Sequence, residues 1–143
     1  MVINTNIFER VRNLNFPLGY YVVVGGGCLE AHGIRITSDV DIVVRPHFFE
    51  ELIEKGWTLD SEYERKWSQR RLIRKDVEVH DRMMFLNKDG TFLDVKDIIA
   101  SADVIYGIPF QTLQSLLVCK RNALRHKDAK DVVLIEQYLK INR

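Results

Sequence analysis

The chain has 143 residues, 46% hydrophobic and 29% charged, with a formal net charge of +1 at pH 7. That length buries one real core, so a single domain over residues 1–143 is expected, and the near-neutral balance excludes a global pull towards nucleic acid or membrane. Cys28 and Cys119 are too few and too far apart for a zinc ribbon or a disulfide scaffold, which points to a reduced, cytoplasmic protein.

The first residues show no basic region followed by an apolar core, and no apolar run approaches membrane length, so neither a signal peptide nor a membrane span is expected. Thr5 is placed to cap a short helix whose apolar side is Ile7, Phe8, Val11 and Leu14. Asn15, Pro17 and Gly19 break the chain. Residues 20–24 form a β-branched apolar run, the mark of a buried central strand. The glycines at 25–27 end it, and residues 28–32 read as a short helix stopped by Gly33. Residues 40–44 are the next strand, and alternation puts Asp39, Asp41 and Val43 on one face, with Val40, Ile42 and Val44 on the other. Pro46 opens a helix with an apolar stripe of Phe48, Phe49, Leu52 and Ile53, and Gly56 follows it.

Beyond Trp57 the pattern turns to strands, over residues 63–68, 71–75 and 76–83. In the last, Val77 and Val79 face one way, Glu78 and His80 the other. Residues 87–90 make a turn from which 91–95 extends a hairpin. Residues 97–102 form a helical turn, and Gly107 and Pro109 keep any strand over 104–110 short or at an edge. Thr112 caps a helix reaching Leu124, and residues 129–141 form the last helix, with residues 125–128 between them. The class is α+β: a mixed sheet with helices packed against it and two helices at the C-terminus.

Several residues in this frame can carry chemistry. A strand ending in Gly25, Gly26 and Gly27 before a helix lets backbone N–H groups approach an anion, although a tight strand–helix turn needs the same residues. No Gly-Lys-Ser/Thr follows, so it is not a P-loop. Asp39 and Asp41 lie roughly 6–7 Å apart if both are on one strand face, and two carboxylates on a mostly apolar strand call for a counter-ion. Hard oxygen ligands suit Mg²⁺ with substrate phosphates. Glu78 joins them if its strand lies beside that of Asp41, as a further ligand or a general base, and His80 shares its face. Arg65, Lys66, Arg70, Arg71, Arg74 and Lys75 surround Trp67 and form either an RNA- or anion-binding patch or the outer face of a sheet. Lys120 and Lys127 could meet triphosphate oxygens or belong to solvated helix faces.

Together, the string VVVGGGCLEAHGIRITSDVDIVV resembles the signature of the DNA polymerase β-like nucleotidyltransferase superfamily: a hydrophobic strand, a glycine pair, about ten residues, then Asp-x-Asp in a second strand. His32-Gly33, Arg35, Thr37 and Asp39 are similar to the small bacterial branch with lincosamide and aminoglycoside nucleotidyltransferases. VEVHD (residues 77–81) looks like its third-carboxylate strand, with Glu78 where Asp is commoner. Gly107-Ile108-Pro109, Lys120, Lys127-Asp128 and Asp131 are similar to its C-terminal region.

The resemblance implies a minimal nucleotidyltransferase fold and transfer of an NMP, AMP from ATP, to a hydroxyl of a small acceptor such as an antibiotic. It implies two Mg²⁺ ions, or Mn²⁺, on Asp39, Asp41 and Glu78, with His80 assisting, and phosphates held by Gly25, Gly26, Gly27, Lys120 and Lys127. The shortness of the chain leaves room for a homodimer that completes the acceptor pocket. A toxin–antitoxin-type enzyme acting on RNA or protein and a non-catalytic nucleotide-binding module are the alternatives.

Overall fold

The computed structural model describes residues 6–83, 93–123 and 126–142, the side chain of Lys127 excepted. Its strands are β1 (Tyr21–Val24), β2 (Val40–Val44), β3 (Thr58–Leu59), β4 (Arg71–Arg74), β5 (Val77–His80), β6 (Asp103–Ile105) and β7 (Ile108–Phe110). They form one mixed sheet in the order β3-β4-β5-β2-β1-β7-β6. Around it pack α1 (Ile7–Arg12), α2 (Gly26–Ala31), α3 (Pro46–Glu54), α4 (Ser61–Trp67), α5 (Val95–Ala100), α6 (Leu113–Ala123) and α7 (His126–Ile141). The expected α+β class is the class the chain adopts.

Apolar alternation sets the two faces of the sheet. Tyr21 and Val23 of β1, Val40, Ile42 and Val44 of β2, and Val77 and Val79 of β5 are buried in the larger core with Ile7, Leu29 and Phe49. The opposite face carries a smaller cluster, in which Val22, Val24 and Val43 meet Met83, Ile98 and Cys119. The even residues of β5 and the odd residues of β2 lie on this second face, and those include Asp41, Glu78 and His80. The central strands are joined by both pairing types. β1 runs antiparallel to β2 and parallel to β7, and β2 runs parallel to β5.

Three local expectations are corrected. Residues 63–68 are not a strand: 61–67 form α4, because Asp60 caps it by accepting the Tyr63 N–H at 3.1 Å, and Ser68 turns left-handed (φ 55°) to end it. Tyr63 and Trp67, four apart, then share one side of a helix. Val95 does not end a hairpin strand but opens α5, whose cap Asp94 accepts the Lys96 N–H at 2.9 Å. Residues 126–128 are not a connection either, since α7 begins at His126. The expected cap Thr5, the turn over 87–90, residues 91–92 of the hairpin and the helix end at Leu124 lie outside the described residues. Asn6 caps α1, accepting the Glu9 N–H at 3.0 Å.

A single carboxylate ties the N-terminal half together. Glu30 of α2 accepts the Ile7 N–H at 2.6 Å and the Thr37 N–H at 2.9 Å. It thus satisfies the start of α1 and fixes the loop that leads into β2. Glu30→Ala leaves both donors without that partner and is expected to lower unfolding stability by about 1.5–3 kcal/mol, read from the urea midpoint. A change near zero would mean that water replaces both bonds.

Candidate functional site

The parallel pairing of β2 with β5 sets Asp41 directly opposite Glu78, and Val43 opposite His80. Side chains two residues apart on a strand share a face, so Asp41, Glu78 and His80 converge. One ligand atom from each lies within 4.8 Å of the others. Both carboxylates are half-buried, whereas His80 is only 4% exposed.

The surroundings of this trio hold it in place. The Tyr63 ring of α4 meets the His80 ring edge-on at 5.9 Å. His80 Nδ1 is buried and has no hydrogen-bond partner. Burial pushes the imidazole down to about 4, against the opposing pull of the Glu78 charge, so the ring is neutral at pH 7. Arg71 of β4, opposite His80 in the register, donates to Glu78. Its Nε and Nη2 also donate to Asp60 Oδ2, at 3.0 and 2.7 Å, and its guanidinium lies 4.1 Å from the Tyr63 ring centroid. One arginine therefore joins the α4 cap, the α4 aromatic and the β5 carboxylate.

The trio sits on a pocket of about 640 Å³. The glycine turn forms one side. Gly25, at φ 67°, caps α2, and a Cβ there would lie 3.2 Å from Asp41 Oδ2. A Cβ at Gly26 would come within 2.5 Å of Thr37 Oγ1. Gly25 and Gly26 line the pocket. Gly27 is buried, and a Cβ on it would lie 2.7 Å from Val23 Cγ1. Its lack of a side chain serves the packing of α2 on β1.

Asp39 also lines the pocket but is exposed, one residue before β2, and does not belong to the converging trio. Its loop is held from outside. Arg10 of α1 donates to the carbonyls of Thr37 (3.1 Å) and Ser38 and to the Asp76 carboxylate, while Thr37 Oγ1 donates to the Asp39 carbonyl at 3.0 Å.

The far wall comes from α6 and α7. Lys120 is buried there with its ammonium between Asp128 (3.0 Å) and Asp131 (2.9 Å). Arg35 closes a fork on Asp131, with Nε and Nη2 each at 2.8 Å. Burial alone would raise the Asp131 carboxyl, but hydrogen bonds from Arg35 and Lys120 outweigh it and bring the group down to about 2. Lys120 is thus engaged by two carboxylates at the pocket wall. The side chain of Lys127 lies outside the described residues.

The basic run divides. Arg70 pairs with Glu50 and Asp81, Arg71 with Asp60 and Glu78, and Arg74 lies over the Trp57 ring at 4.3 Å. Arg65 and Lys66 are on α4 with Trp67, which is 55% exposed, and Lys75 is exposed in the β4–β5 turn. Sequence reasoning missed the linking role of Arg71 and the Lys120 clamp. Asp128 and Asp131, three apart, share a helix face, which was a readable signal. Nothing local marks Arg71 as the partner of Glu78.

Comparison with protein-family models, with curated proteins and with solved structures finds no match to this chain. Among the described residues, no helix is long and apolar enough to cross a membrane.

Lys120→Met strips the cation from two buried carboxylates and is expected to destabilise the fold by about 3–5 kcal/mol, measured by chemical denaturation. The depressed Asp131 carboxyl contributes stability that is present above its unfolded value near 4 and lost as pH falls towards about 2. Asp131→Asn should therefore flatten the stability–pH curve across that window, and an unchanged slope would contradict the clamp.

Proposed function

We propose that this chain is a metal-dependent nucleotidyltransferase that moves AMP from ATP to a hydroxyl of a small-molecule acceptor. The carrying observation is that Asp41 and Glu78 stand in register on adjacent parallel strands, facing the pocket that Gly25 and Gly26 border. In the reaction the acceptor oxygen bonds to the α-phosphorus, the bond to the β-phosphate oxygen breaks, and pyrophosphate leaves.

The residues fit a divalent ion, because two half-buried carboxylates converge with an imidazole within 4.8 Å. Asp41 and Glu78 would hold Mg²⁺, with Asp39 at the mouth of the pocket. The ion would offset the charge of the phosphates as the transition state forms. The Gly25 and Gly26 backbone would approach the phosphate tail, since both glycines line the pocket. Glu78 accepts the hydroxyl proton, with His80 beside it. Lys120 acts indirectly: it keeps the Asp128–Asp131–Arg35 wall in place behind the nucleotide.

The charge distribution supports a small acceptor over an RNA strand. Arg70 and Arg71, the middle of the basic run, are committed to internal carboxylates. That leaves a discontinuous exposed set rather than a basic track for a phosphate backbone.

The deciding assay incubates the protein with α-labelled ATP, Mg²⁺ and a panel of hydroxylated acceptors and follows the label. Asp39→Asn, Asp41→Asn and Glu78→Gln are each expected to cut transfer by about 10²-fold or more, with circular dichroism unchanged. Full metal-dependent transfer by any of the three would remove that residue from the proposed centre.

A further inference from the structure

We infer that Asp41, Glu78 and His80 form a mixed oxygen–nitrogen site for a divalent first-row transition metal, with the His80 imidazole as a direct ligand. The inference rests on reading this pocket as metal-dependent, and it departs from the all-oxygen Mg²⁺ site that the two aspartates of the DVD segment suggest.

The donor set is the first reason. The atoms that converge within 4.8 Å are two carboxylate oxygens and one imidazole nitrogen, and Asp39 is not among them. Mg²⁺ takes oxygen ligands and keeps several of its waters. Imidazole suits first-row transition ions such as Fe²⁺, Ni²⁺ and Zn²⁺, and Mn²⁺, the weakest binder of that series, serves as its spectroscopic probe.

The state of His80 is the second reason. It is 4% exposed, and its Nδ1 is buried without a hydrogen-bond partner. A buried imidazole ordinarily uses both nitrogens, because an unmatched polar atom is costly. Here a ring nitrogen lies within 4.8 Å of an oxygen of each carboxylate, and Tyr63 packs against the ring edge-on. The ring is shielded from solvent, at 4% exposure, on the side of the sheet that carries the carboxylates. Arg71 holds Glu78 by donating to its Oε1. Neighbours that orient ligands in this way tune the affinity for the metal.

The test titrates Mn²⁺ into the protein without nucleotide, followed by electron paramagnetic resonance, with Mg²⁺ as competitor. One Mn²⁺ should bind at least about tenfold tighter than Mg²⁺, and pulsed spectra should show ¹⁴N coupling from a directly bound imidazole. His80→Gln should abolish the coupling and reduce the Mn²⁺ preference several-fold at an unchanged melting temperature. His80→Asn serves the same purpose if the glutamine variant does not fold.

Bound Mn²⁺ without ¹⁴N coupling, a preference unchanged in the variants, or no Mn²⁺ binding at all would overturn the inference. Its failure is separable from failure of the nucleotidyltransferase reading. Undiminished Mg²⁺-supported AMP transfer with no nitrogen signal sinks the inference alone. A nitrogen-coupled Mn²⁺ site with no transfer to any acceptor sinks the reading and keeps the site.

Discussion

The parallel ladder between β2 and β5 is the constraint on which the rest of the site depends. Its register places Asp41 opposite Glu78 and Val43 opposite His80. A slip of one residue would turn Glu78 and His80 into the larger core and bring Val77 and Val79 to the pocket. The apolar residues on the far face prevent that slip. Val40, Ile42, Val77 and Val79 are all buried in one cluster, and exposing them would forfeit roughly 1.5–3 kcal/mol for each large side chain. The same burial that stabilises the sheet thus sets the positions of the polar groups on its other side.

Holding charges together at half-buried positions requires partners, and the fold supplies them from distant segments. Arg71 balances Glu78 while joined to Asp60 at the start of α4. Lys120 and Arg35 bracket Asp131 from α6 and from the loop before β2. Arg10 and Glu30 fix the backbone of that loop through its carbonyls and the Thr37 N–H. In each case a long side chain reaches from one element to the end of another. The pocket therefore has two walls cross-linked by ion pairs, the β4–β5 side and the α6–α7 side, with the glycine turn and Asp39 between them.

Much of this frame was readable. The buried strand, expected over 20–24 and formed over 21–24, follows from its unbroken apolar run, and the glycine turn, the faces of β2 and the alternation of Glu78 with Val77 and Val79 follow from turn chemistry and period-two patterning. The stretch 63–68 does not alternate, and Tyr63 and Trp67, four apart, already have helical spacing; the deciding signal, Asp60 as a cap, lies just outside it. Asp39 was grouped with Asp41 on a strand face, yet the ladder begins only at Val40, which leaves Asp39 exposed at the rim. Lys120 read as a cation available to phosphates because its two carboxylate partners lie on the next helix.

The sequence by itself determined the α+β class, the two faces of β2 and β5, and the candidate residues Asp41, Glu78 and His80, because these depend on local periodicity. Only the tertiary structure decided that those two strands are neighbours, that His80 converges with the carboxylates, and that Gly27 serves packing while Lys120 is clamped. Those outcomes depend on strand order and on contacts between residues far apart in the chain, including 37 positions between Asp41 and Glu78 (78 − 41) and 96 between Arg35 and Asp131. No local pattern encodes such a pairing; it arises when burial of the apolar faces brings the segments together.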